Sequence, residues 1–167
     1  MTETLRGPLL VVAIAGFLSA GAQFMEHALG LDPCPLCLMQ RIWVMVAGVV
    51  VCVALADRPT RRAYPVAAAA AALAGLGFAI RQIYLQHLPA DEVPACGPDL
   101  GYMFESFPFV DVLKAMTLGT GNCAEIDYVL GVNLVYWSAL GFAALLAATA
   151  LWWRDVGIDA PARPNDP

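Results

Sequence analysis

The residues best suited to chemistry in this chain are its cysteines. Two stand close together in Asp32-Pro33-Cys34-Pro35-Leu36-Cys37, and two more follow far downstream, Cys96 and Cys123. A Cys-x-x-Cys pair closes a small disulfide ring and is a common redox arrangement, because the thiolate is the attacking species in exchange. Arg41 comes four residues after Cys37, so on a helix the two share a face. An arginine just inside an apolar segment needs a charge partner or a polar cavity. A sulfur anion at Cys37, or an oxygen of a bound ligand, is expected to meet that need; reaching back to lipid headgroups is the alternative.

Cys96 and Cys123 sit in turn-forming surroundings, Pro94-Ala95-Cys96-Gly97-Pro98 and Gly119-Thr120-Gly121-Asn122-Cys123. A disulfide between them would staple the loop they enclose, removing roughly 3–4 kcal/mol of chain entropy. Flexible, accessible surroundings equally suit an exchangeable disulfide. Zinc favours two tight ligand pairs, whereas these two cysteines are widely separated, so no metal is expected.

The elements that must hold these cysteines are apolar. The chain has 167 residues, 60% of them hydrophobic and 14% charged, with a mean hydropathy of +0.67. Soluble domains run nearer 45–50% apolar and about 25% charged. A small soluble globule is therefore excluded, as is a disordered chain, which needs low hydrophobicity. The net charge of −5 offers no basic footprint, so no nucleic-acid partner is expected.

Four apolar stretches approach the length that crosses a bilayer: residues 8–29, 38–56, 65–85 and 129–153. The reading is an all-α integral membrane protein, a single four-transmembrane-helix bundle over 1–167. Its first span is too long for the apolar core of a cleaved signal. Arg58, Arg61 and Arg62 lie between the second and third spans, and Arg6, Arg154 and Arg163 near the termini. The segment 30–37 has no basic residue, and 86–128 has Lys114 alone against seven acidic residues, Asp99 among them. The positive-inside rule then puts both termini in the cytoplasm and both cysteine loops outside, where disulfides persist. Trp152 and Trp153 beside Arg154 suggest an interfacial anchor.

Residues 107–116 carry apolar side chains at helical spacing, fitting a short helix on the membrane surface or against the protein. Cys52, deep in the second span, reads as an inert small hydrophobe. Glu26, His27 and His87 read as solvated polar groups near span ends. Arg81, Gln82 and Gln86 gather at the outer end of the third span, where they could line a cavity for a lipophilic molecule with a polar head, or meet headgroups.

With these motifs in hand, the chain resembles the disulfide-bond formation protein B family, the DsbB membrane oxidases. The likeness rests on Pro33-Cys34-Pro35-Leu36-Cys37 with Gln40-Arg41, on Leu85-Gln86 and Pro89 leading to Cys96, and on Gly121-Asn122-Cys123-Ala124-Glu125. It implies a thiol:quinone oxidoreductase of the bacterial inner membrane that reoxidises a periplasmic DsbA-like thiol oxidase. On that likeness Cys96 takes the partner's thiolate, Cys123 exchanges with Cys34, and Cys37 faces a quinone (ubiquinone or menaquinone) oriented by Arg41. Gln82 stands where some members have a histidine near the quinone, and Tyr128 where some have a tryptophan. A vitamin K epoxide reductase type is the nearest rival, though that type places its Cys-x-x-Cys near its last span. A non-catalytic scaffold stapled by two disulfides is the other.

Overall fold

The computed structural model describes residues 3–57, 60–98 and 100–158. Arg58, Asp99 and Arg163, used above to read charge, lie outside the described residues. Four long helices dominate: α1 (Glu3–Leu29), α2 (Pro35–Ala56), α3 (Ala63–Gln86) and, last in the chain, α6 (Leu134–Ile158). Each contains a stretch apolar and long enough to cross a bilayer. The protein is thus an integral membrane four-helix bundle.

The helices pack in a ring, α1 on α2, α2 on α3, α3 on α6 and α6 back on α1. The core is built from small and branched side chains, Val11, Ala15, Val44, Ala72 and Leu145 among them, with Phe142 and Trp152 as the bulky members. Bare backbone at Gly75 lets α3 approach α6, since a Cβ there would run into the Phe142 ring. The outward faces are as apolar as the inward ones: Leu9, Phe17, Val49 and Leu140 are all exposed. In water that belt would be a large apolar patch, whereas in lipid it meets its own kind.

The second helix starts at Pro35, three residues before the expected boundary, because proline suits the first helical position and Cys34 caps the turn. The Cys34 sulfur accepts the Cys37 backbone N–H at 3.4 Å. The fourth span begins at Leu134 rather than at 129. Residues before it form a hairpin, β1 (Tyr128–Val129) on β2 (Val132–Asn133), turned by Leu130 and Gly131, both with positive φ. Asn133 then caps α6, its Oδ1 accepting the Val135 N–H at 3.1 Å.

The connection from α3 to α6 holds two short helices, α4 (Leu100–Ser106) and α5 (Phe109–Leu118), and a 3-10 turn over Gly121–Ala124. The expectation of one short helix at 107–116 captures α5 and misses α4. One face of α5, Val112 and Met116, packs on Leu38, Met39 and Ile42 at the start of α2. Beside that face, Phe109, Val110 and Leu113 are exposed. So α5 lies against the protein and also presents an apolar face.

At the other end of the bundle, Trp152 is wholly buried against Gly7, which corrects its reading as an interfacial anchor. Trp153 remains partly exposed and receives the Arg62 guanidinium over its ring at 5.4 Å.

Candidate functional site

Three of the four loop cysteines converge where α2 begins. Capping places the Cys34 sulfur over the first turn of α2, 2.9 Å from that of Cys37. The turn at Gly121–Ala124 carries Cys123 into the same spot, where it is fully buried with Leu36 and Leu85 and packs against Cys34. The Cys34 and Cys123 side chains pack together. All five cysteines carry free thiols.

The fourth, Cys96, is exposed. Its segment lies over the Cys123 turn: the Gly121 N–H reaches the Ala95 carbonyl at 3.1 Å. A Cβ on Gly121 would stand 2.5 Å from the Pro94 carbonyl oxygen and 3.0 Å from the Cys96 sulfur. Only glycine allows that approach. A solvent-facing cysteine is thereby held beside a buried one, which touches a third.

Charge is divided unequally within the cluster. Contact with the Cys34 thiol pulls Cys123 down to about 6, helped by the backbone N–H groups of Leu36 and Thr120 and opposed by burial. Cys34 is pushed well above the usual thiol range by Cys123, then by Cys37 and by burial. The shared proton therefore stays on Cys34, and Cys123 is the anion.

Gln82 of α3 reaches both sulfurs of the Cys-x-x-Cys pair. Its Nε2 donates to Cys37 at 3.3 Å and to Cys34 at 3.4 Å, and its Oε1 lies 3.5 Å from the Cys37 sulfur. Behind it, Gln40 Nε2 donates to Gln82 Oε1 at 2.8 Å, and the Ser138 hydroxyl of α6 donates to Gln40 Oε1. The sequence supplied Gln40 within a motif but no role for it, and Ser138 not at all. The available signal for Gln40 was its offset of three from Cys37, which puts both on one helical face.

Arg41 departs from expectation. Its guanidinium forms an ion pair with Glu26 of α1 and donates to the Ala22 carbonyl at 3.1 Å, so its partner is a carboxylate and not the Cys37 sulfur. The rotation of α1 relative to α2, invisible in the sequence, turns Glu26 inward. Arg41 still lines a cavity of about 1070 Å³ between α1, α2 and α6. Cys37, Gln82 and Arg41 form part of its polar edge, and Phe17, Leu18 and Leu140 part of its apolar wall.

The remaining polar residues have structural partners. Arg81 donates to the Leu118 carbonyl at 3.2 Å, and Gln86 donates to that of Glu125 at 2.9 Å while accepting from Asn133. Neither lines the large cavity, so of the three polar residues on α3 Gln82 alone does. His27 and His87 each bond a carbonyl on their own helix, Gln23 and Ile83. Cys52 faces outward from the bundle.

Four apolar spans holding a sulfur cluster beside a lipophilic cavity define a membrane protein of thiol redox chemistry. Comparison with known proteins gives the family. The model described as "Disulfide bond formation protein DsbB" matches residues 6–152. A protein named disulfide bond formation protein B from Stutzerimonas stutzeri is 45% identical over 150 residues, covering 86% of this chain and 91% of its own. One so named from Methylococcus capsulatus is 42% identical, covering 87% and 92%. Another, from Saccharophagus degradans, is 40% identical, covering 83% and 86%. No solved structure matches. The chain belongs to the DsbB family of disulfide bond formation proteins, membrane oxidoreductases of disulfide formation.

Proposed function

We propose that this protein draws electrons from a periplasmic DsbA-like dithiol oxidase and delivers them to a membrane quinone. The observation that carries the reading is the packing of buried Cys123 against Cys34, which joins a pair with one exposed member, Cys96, to a pair beside a lipophilic cavity.

In the resting oxidised form, Cys96 is bonded to Cys123 and Cys34 to Cys37. A thiolate of the partner attacks the exposed Cys96 sulfur; the new bond forms there and Cys123 leaves as the thiolate. A thiol of lowered pKa leaves readily, and the backbone N–H groups of Leu36 and Thr120 favour the departing Cys123 anion. The partner's second thiol then displaces Cys96, and the partner departs with its disulfide formed. Cys123 attacks Cys34, breaking the Cys34–Cys37 bond and leaving Cys37 as the thiolate. Attack by Cys96 on Cys123 restores the first disulfide and releases Cys34. One dithiol has been oxidised, and Cys34 and Cys37 hold its two electrons.

The cavity fits a quinone on its own terms. It has room for a ring and part of an isoprenoid tail, an apolar wall, and a cation at one edge beside Cys37. Arg41 would hold a ring oxygen, and Cys37 and Gln82 would face the ring. A bound quinone supplies the acceptor for two electrons and two protons, which returns Cys34 and Cys37 to the disulfide. A quinone is apt because a DsbA-type partner is itself a strong oxidant and needs a stronger acceptor than glutathione.

Both cysteine loops face the periplasm from the bacterial inner membrane, and both termini face the cytoplasm. Mixing purified protein, reduced partner and quinone tests the function. Quinone reduction is expected, abolished by Cys37→Ser and by Cys96→Ser. Turnover that survives either substitution contradicts the reading and favours a stapled scaffold.

A further inference from the structure

A buried chain of hydrogen bonds links α6 to the redox cysteines, and all of its links run in one direction. Gln40 and Gln82 are among the few buried polar residues of the bundle, 5% and 4% exposed. A serine hydroxyl donates to the Gln40 carbonyl, which leaves the Gln40 amide nitrogen to donate onward. That donation engages the Gln82 carbonyl, which also lies 3.5 Å from the Cys37 sulfur, and sets the Gln82 N–H groups 3.3 and 3.4 Å from the Cys37 and Cys34 sulfurs. An amide has one acceptor end and one donor end, so reversing any link reverses all of them.

We propose that Gln40, anchored by Ser138, is a positioning residue that orients the Gln82 amide, so that Gln82 presents donors to the Cys34–Cys37 pair. When that bond opens, the departing negative charge meets N–H groups already aimed at it in a site with little water. Donors fixed before the charge appears need no rearrangement when it does. The proposal rests on the quinone-linked cycle above, yet its own test separates from it.

The discriminating variant is Gln40→Glu. It keeps the size of the side chain but introduces a carboxylate, which only accepts. Gln82 must then turn its amide toward that carboxylate and show its carbonyl to the sulfurs. In quinone-free, reduced protein, the rate of Cys37 alkylation by iodoacetamide at neutral pH is expected to fall about tenfold, since the thiolate is the reacting form. In turnover, kcat for quinone reduction is expected to fall about tenfold with KM for quinone unchanged. Ser138→Ala, which removes only the far end of the relay, is expected to reduce both rates two- to threefold.

Mixed-disulfide formation between the partner and Cys96 at the wild-type rate shows that the variants are folded. If both variants alkylate and turn over as wild type does, the relay is overturned while the cycle stands. If Gln40→Glu acts only by raising KM for quinone, the relay is likewise overturned. Wild-type protein that reduces no quinone yet loses Cys37 alkylation in Gln40→Glu contradicts the cycle and leaves the relay supported.

Discussion

Cys123, carried on the connection between α3 and α6, packs against Cys34 at the cap of α2. This contact gives the chain a route for electrons between two cysteine pairs that are distant in sequence. It also fixes which cysteine holds charge, because the proton of the pair stays on Cys34.

A pH dependence follows from Cys123. Its thiol is held at about 6, below the usual thiol range, so the anion dominates above that pH. In the fully reduced protein, where Cys34 still carries its thiol, the Cys123 thiolate is protonated as pH falls through about 6 and its alkylation slows toward tenfold per unit. Rapid-quench iodoacetamide labelling of Cys123 in fully reduced protein should show a plateau from about pH 7 to 8 and a decline below about 6. A decline centred near the ordinary thiol range, about 8.5, would contradict this assignment.

Gly121 is expected to tolerate no side chain. Gly121→Ala places a methyl against the Pro94 carbonyl and the Cys96 sulfur, forcing the Cys96 segment off the Cys123 turn. Oxidation of the protein partner should fall at least tenfold. Quinone reduction by a small dithiol that reaches Cys34 and Cys37 directly should be nearly unaffected. Equal loss of both would mean the methyl disturbs the bundle itself.

Arg41 and Glu26 should separate by kinetics. Arg41→Ala removes the cation at the cavity edge, and the apparent KM for quinone is expected to rise about tenfold, with KM for the partner unchanged. Glu26→Gln leaves the arginine in place without its carboxylate, and a smaller rise is expected. Removing one member of a partly buried pair strands the other charge, so both variants should also melt at lower temperature. A parallel loss toward both substrates after Arg41→Ala would assign the pair to the fold.

Orientation is testable by labelling. A membrane-impermeant maleimide added to intact spheroplasts should modify Cys96 in reduced protein, whereas a cysteine introduced at Arg61 should react only after lysis. Arg61 is exposed beside Asp57, its salt-bridge partner, at the far end of the bundle from Cys34. The opposite pattern would invert the topology and remove the periplasmic partner from reach.

Much of the fold was legible because its driving force is composition. Four apolar runs of bilayer length leave few alternatives, and the arginines sort the loops around them. The start of the last span was not legible, since Tyr128, Val129 and Val132 are as apolar in a hairpin as in a helix. Helix rotation was the larger loss. In lipid both faces of a helix are apolar, so hydropathy does not say that Glu26 turns toward Arg41 or that Trp152 turns inward. The cysteines were legible as a set because their chemistry and compartment are unusual. The network from Ser138 through Gln40 to Gln82 joins three helices, and no spacing within one helix reveals it.

The most direct test of the electron route is to trap it. Oxidised protein is mixed with reduced partner, quenched with acid at millisecond intervals, alkylated and digested for mass spectrometry. A peptide pair linked through Cys34 and Cys123 should appear and decay at the rate of quinone reduction, and vanish in Cys34→Ser. Turnover at the full rate with no such linked pair at any time would contradict the account.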